Sequence, residues 1–210
     1  MENYENNPVT ESENQKPKRR AARKGSTLLL YLHDIIYLLA AIMVLLLVFF
    51  RIVVVSGSSM KNTLVDGDYL LLLSNVFYRE PKQGDIVVIS KDSFDNGAPI
   101  VKRVIATEGQ FVRFLEGKVY VGDSPDLENM QLLEEPYVSS PMLDTDGVVK
   151  VQEGYIFVMG DNRSGSKDSR DPVIGQIDKR EVLGKVIFLM LPGTDKGHEA
   201  PDYSRIGAVS

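Results

Sequence analysis

From Ile35 to Phe50 sixteen consecutive residues carry no charge, and nearly all are apolar (IIYLLAAIMVLLLVFF). An amphipathic core helix does not contain such a run, because one of its faces must meet water. The stretch continues to Val55 with Arg51 as its sole charge, 21 residues in all from Ile35. As a helix that length covers roughly 30 Å, one hydrocarbon core. The reading is a transmembrane anchor over residues 28–55, with Arg51 near its outer end and its long stem snorkelling to the interface. A cleaved secretory leader competes, since Val55-Ser56-Gly57 loosely resembles a small-residue cleavage site. Against it, the apolar run exceeds the roughly 7–15 residues of a leader core, and Arg51 interrupts before the small residues.

Charge then orients the anchor. Residues 1–24 hold six Lys/Arg (16, 18, 19, 20, 23 and 24) against four Glu (2, 5, 11 and 13). The positive-inside rule puts this N-terminus in the cytoplasm and the C-terminal domain outside, making the chain a single-pass protein of the cell membrane. Residues 1–27, polar and short of large apolar groups, are expected to be a disordered cytoplasmic tail. Residues 52–210 carry 17 basic and 24 acidic groups, with no basic stripe, which argues against nucleic-acid binding. The absence of cysteine excludes disulfides, thiolate zinc sites and cysteine-protease chemistry. The two histidines, His33 at the edge of the apolar segment and His198 in a Gly/Pro-rich tail, are poorly placed for a folded active site. A Ser-His-Asp triad is thereby disfavoured.

Beyond the anchor the pattern is β. Short runs at 68–74, 85–90, 100–107, 111–115, 118–121, 148–151, 155–159 and 182–191 are separated by Asp-Gly, Gln-Gly, Asn-Gly and Glu-Gly turns. Strands without long helical periods predict a mostly β, antiparallel domain over residues 56–191. Residues 106–155 would form a smaller β extension, 122–146 an exposed excursion, and 192–210 a loose C-terminal tail.

Three segments bear on chemistry. Ser56-Gly57-Ser58-Ser59-Met60-Lys61-Asn62-Thr63-Leu64 follows the anchor and, taken alone, reads as a linker. Ile100-Val101-Lys102-Arg103-Val104-Ile105 places two cations in an apolar strand, where alternation puts one of them in an apolar environment. The bland account of it is an edge strand charged against aggregation. Gly160-Asp161-Asn162-Arg163-Ser164-Gly165-Ser166-Lys167-Asp168-Ser169-Arg170 is a polar loop. It fails the EF-hand pattern, since Arg163 and Gly165 fall where ligands belong, and by itself it reads as a solvated turn.

Together, and in this order, these segments resemble the boxes of the type I signal peptidases, with Gly84-Asp85-Ile86-Val87-Val88 matching the structural box between the first two. The resemblance covers roughly residues 30–191. It implies Ser59 as nucleophile and Lys102 as general base, with Ser-Met alignment favouring Ser59 over Ser58 and Ser56. It implies that Ser166 orients the Lys102 amine, that Asp168 and Arg170 pair to hold their loop, and that the Ser59 N–H donates to the oxyanion. Gly57 stands where some members add a hydroxyl. Val55, Met60, Leu64, Ile100 and Val101 would line shallow pockets for small substrate side chains. The substrates implied are signal-peptide-bearing preproteins, cleaved by a monomer sharing their lipid bilayer, with no metal or cofactor. Asn62 departs from the family's usual proline, which predicts a less rigid turn after the nucleophile. Ala106-Thr107-Glu108-Gly109-Gln110 departs from the usual Gly-Leu-Pro-Gly-Asp.

The residues support this chemistry. A serine hydroxyl needs a base, and a neutral lysine amine can replace a missing imidazole. About one free lysine in 2,500 is neutral at pH 7, so the base must be desolvated. The apolar strand around Lys102 can do this, whereas Lys61 and Lys167 lie in polar surroundings. Two other readings remain at this level: a catalytically silent, membrane-anchored scaffold relative, and a self-cleaving repressor-type serine–lysine protease. Intact Ser59 and Lys102 count against the first, the anchor and the acidic domain against the second.

Overall fold

The computed structural model describes residues 24–138, 142, 146–194 and 200–209. The expected disordered tail falls mostly on residues 1–23, outside the described residues, and so does His198. Helix α1 spans Lys24–Phe49. Its segment Leu28–Phe49, 22 residues or about 33 Å, is long and apolar enough to cross a membrane. Apolar side chains along it, Tyr31, Leu38 and Leu47 among them, are exposed.

The helix ends before residue 55. Phe50–Val54 form strand β1, paired antiparallel with β2 (Tyr69–Ser74), so that Arg51 faces Leu72 and Val53 faces Leu70 across the ladder. The expected anchor boundary is corrected here, and Arg51 lies on a strand rather than at a helix end. The cause is partly local: Ile52–Val55 is an unbroken β-branched run, which loses rotamer freedom in a helix and fits a pleated strand. No Gly, Pro or Asn marks the boundary, so the pairing with β2 sets it.

The further strands are β3 (Ile86–Ile89), β4 (Ile100–Thr107), β5 (Phe111–Leu115), β6 (Lys118–Gly122), β7 (Met130–Leu132), β8 (Gly147–Lys150), β9 (Tyr155–Met159), β10 (Ile177–Asp178), β11 (Val182–Leu191) and β12 (Gly207–Ala208). The larger sheet runs β1-β2-β11-β3-β4-β9-β10, with β12 added on β11, and the smaller runs β7-β6-β5-β8. The strand pairings are antiparallel. This is the mostly β, antiparallel class with a small β extension that the strand pattern predicts. The segment expected as an excursion contributes β7, and the C-terminal segment expected to be loose contributes β12.

Two core clusters build the site's surroundings. Val55, Met60, Leu64 and Val101 pack with Leu70, Leu72 and Ile86 in one. Ile105 and Phe157 of the larger sheet pack with Val112, Phe114 and Val119 of the smaller in another, seating the extension on the main sheet. Strand β4 lies inside the sheet between β3 and β9, and residues 101–106 are all buried. The edge-strand account of Lys102 and Arg103 therefore fails, and both cations, not one, are enclosed.

Candidate active site

The segment after β1 leaves the sheet at Ser56 and turns sharply. Lys61 N–H donates to the Ser58 carbonyl at 3.1 Å, and Leu64 N–H to the Met60 carbonyl at 2.8 Å. Met60 and Leu64, 1% and 0% exposed, sink into the core and fix the turn from below. Ser59 is left partly exposed at its rim. Its Oγ lies 2.7 Å from Lys102 Nζ, which also contacts the Val101 carbonyl at 3.0 Å. Lys102 is 3% exposed. Burial draws its amine down to about 8; Asp168 and Asp161 oppose that pull, and Arg170 adds to it. With that value about one amine in ten is neutral at pH 7, against about one in 2,500 for free lysine.

The polar loop after β9 holds this pair from the other side. Asn162 N–H donates to the Ser59 carbonyl at 3.0 Å, and its side-chain amide donates to the Ser58 carbonyl at 3.0 Å. A Cβ on Gly160 would lie 2.4 Å from the Ser59 carbonyl oxygen and 2.3 Å from Ser166 Oγ, so only glycine lets the loop pass this close. Asp168 takes the Gly160 N–H at 2.9 Å and a two-pronged pair from Arg170, with both contacts at 2.7 Å. Arg170 also donates to the Arg163 carbonyl at 2.9 Å, closing the loop on itself.

Not every expected partner meets. Ser166 Oγ reaches the Lys167 carbonyl at 3.4 Å, and among the described residues it makes no hydrogen bond with Lys102, whose amine is taken up by Ser59 and Val101. Val55, Met60, Leu64 and Val101 share one apolar cluster, whereas Ile100 packs against a different one with Val87 and Ile89. Met60 and Leu64 form a floor rather than exposed wall. Gly57 N–H is held by the Asp66 carboxylate at 2.7 Å. No described residue accepts a hydrogen bond from the Ser59 N–H.

A family model described as signal peptidase, peptidase S26, matches residues 28–191. The chain belongs to the S26 signal peptidase family. Signal peptidase I of Bacillus licheniformis is 37% identical over 147 residues, covering 65% of this chain and 74% of that protein. The probable signal peptidase I-1 of Synechocystis is 35% identical over 146 residues, covering 66% and 70%. Signal peptidase I T of Bacillus subtilis is 35% identical over 147 residues, covering 65% and 71%. Membership makes the chain a serine endopeptidase.

Sequence reasoning named no partner for the charge beside this peptidase's lysine. Arg103 is 2% exposed and forks onto Asp161, itself 0% exposed, with two contacts of 2.9 Å. It also donates to the Gly84 carbonyl at 2.9 Å and lies under the Tyr137 ring, 3.9 Å from its centroid. Asp161 accepts from Thr63 Oγ1, tying the turn after Ser59 to the same pair. The missed signal is physical: a guanidinium inside an interior strand demands a buried anion, and an aspartate two residues beyond the end of β9 is an obvious candidate.

Proposed function

We propose that Ser59 attacks the scissile carbonyl of a signal peptide while Lys102 accepts its proton. The chain's family and relatives make signal-peptide cleavage its function, which leaves the scaffold reading without support. What carries the residue assignment is a single contact: a buried lysine amine 2.7 Å from a serine hydroxyl.

The chemistry follows from the groups present. A neutral Lys102 keeps one N–H on the Val101 carbonyl and turns its lone pair to the Ser59 hydroxyl. Attack forms an acyl-enzyme at Ser59 and moves the hydroxyl proton to Nζ. That proton then goes to the leaving amine; Nζ, neutral again, takes a proton from the water that hydrolyses the ester and passes it to Ser59 Oγ as the acyl–oxygen bond breaks, which restores the hydroxyl. The Ser59 N–H stabilises the oxyanion. The Asp168–Arg170 pair and the Arg103–Asp161 pair act at one remove, holding the two loops against each other.

The substrates are preproteins whose signal peptides bind extended beside the site, with small side chains against Val55 and Val101. The apolar helix anchors the peptidase in the bilayer with its N-terminus in the cytoplasm, and one membrane shared by enzyme and substrate raises their effective concentration. The peptidase works as a monomer, without metal or nucleic acid.

The test is preprotein cleavage by Ser59→Ala, Lys102→Ala and Ser58→Ala in the full chain. The first two abolish it, and Ser58→Ala keeps most of it. Full activity in Lys102→Ala refutes the assignment.

A further inference from the structure

The family match stops at residue 191, yet the chain turns back toward the nucleophile after it. β12 pairs with β11, Ala208 opposite Phe188 and Gly207 opposite Leu189, and a short helical turn at Tyr203–Arg205 precedes it. From that turn Arg205 forks onto Asp68, a wholly buried carboxylate: Nη1 meets Oδ1 at 3.0 Å and Nη2 meets Oδ2 at 2.6 Å. The same Nη2 donates to the Thr63 carbonyl at 3.2 Å. Asp68 also accepts from the N–H groups of Val65 at 2.8 Å and Gly193 at 2.7 Å. A Cβ on Gly193 would lie 2.1 Å from the Asp66 carbonyl oxygen, so the returning chain passes this turn only as glycine.

Both flanks of the nucleophile depend on this knot. Upstream, Val55 N–H donates to the Asp68 carbonyl at 2.9 Å, and Gly67 N–H returns to the Val55 carbonyl at 2.9 Å. Gly57 N–H is held by Asp66 at 2.7 Å. Downstream, Thr63 carries the Arg205 contact on its carbonyl and closes back on the Met60 carbonyl through its own N–H at 3.1 Å. Arginine suits the place, because one rigid fork can satisfy a carboxylate and a neighbouring carbonyl together.

We propose that Arg205 is a positioning residue for Ser59, its fork on Asp68 and Thr63 fixing the turn that aims the hydroxyl at Lys102. Drift of about 1 Å at a reacting atom can cost on the order of a hundredfold in rate. The inference rests on Ser59 being the nucleophile.

The experiment measures kcat and KM of the full chain in detergent micelles on a signal-peptide substrate, well below each variant's unfolding midpoint. Arg205→Ala is expected to lower kcat by about tenfold or more, with KM within about twofold. Arg205→Lys is expected to recover part of the loss. A brace with no role in aiming Ser59 lowers only the midpoint; kcat within about twofold of the parent, whatever happens to the midpoint or to KM, overturns the proposal. Should Arg205→Ala fail to fold, Arg205→Lys decides by itself: a kcat loss of about threefold or more supports the proposal, and an unchanged kcat overturns it. Ser59→Ala, run alongside, separates the two readings. Activity surviving there removes the nucleophile assignment, whereas an unaffected Arg205→Ala removes only the tail's part in it.

Discussion

The pockets around Lys102 and Arg103 sit one residue apart on β4, are almost equally closed to water, and are furnished in opposite ways. Arg103 receives a carboxylate on two prongs, a backbone carbonyl and an aromatic face. Lys102 receives a hydroxyl and a carbonyl, both neutral, and feels Asp168 and Asp161 only at a distance. A matched anion turns a buried cation into structure. Withholding one leaves the cation easy to deprotonate, which is what a base requires. The side chains suit this division: guanidinium keeps its charge when buried, whereas an ammonium yields its proton.

Stability should separate the two pockets most sharply. Asp161→Ala leaves the Arg103 charge buried without its partner and frees Thr63 as well. It is expected to cost about 3–5 kcal/mol, the usual penalty for breaking a buried pair from one side. Lys102→Met removes a buried amine that is mostly protonated at neutral pH, a form the fold disfavours. It should unfold at the same or higher denaturant concentration than the parent while showing no cleavage. Urea unfolding of both variants in detergent at pH 7 checks the pair. If Asp161→Ala proves as stable as the parent, the contrast is wrong.

How much of this was legible beforehand differs with the range of the information needed. β4, β5, β9 and β11 follow the residues at which the apolar runs begin and end, because Gly and charged turns punctuate them. β1 was hidden, since its β-branched residues continue an apolar helix and only pairing with Tyr69–Ser74 reveals the change. β7, β10 and β12 are three, two and two residues long, too short to show alternation. At the site, the motif order nominated Ser59 and Lys102, which folding sets 2.7 Å apart. Arg103 and Asp161, 58 residues apart, and Arg205 and Asp68, 137 apart, carry no local mark of each other. Asn62 shows the same limit. Its φ of 90° is one that proline cannot adopt. Its amide donates to the Tyr137 carbonyl at 3.3 Å, so the turn expected to be slack is held from 75 residues away.

The next effect is on rate. In the role proposed for it, Lys102 works only when neutral, and its amine is drawn down to about 8. kcat should therefore rise about tenfold per pH unit below 8 and level off above it. The sign is fixed by the role: raising pH empties the protonated, inactive form. A profile flat from pH 6 to 9, roughly a unit or two to each side of that value, would mean that Lys102 is not the titrating base.

The smallest effect tests how the distant carboxylates set that limb. Asp168 is the larger of the two charges holding the Lys102 amine up, and burial works against it. Asp168→Asn removes the charge but keeps an oxygen for the Gly160 N–H, so the loop's closest contact can survive. Without the nearby anion the protonated amine loses support, and the rising limb of kcat should move to lower pH. At pH 7 a larger share of the amine is then neutral, which opposes whatever rate is lost as Arg170 loosens. The two contributions separate in the profile, because loosening lowers the plateau while the charge moves the midpoint. A midpoint that stays in place as the plateau drops would make Asp168 a loop fastener only; a midpoint that moves to higher pH would contradict the electrostatic account of both pockets.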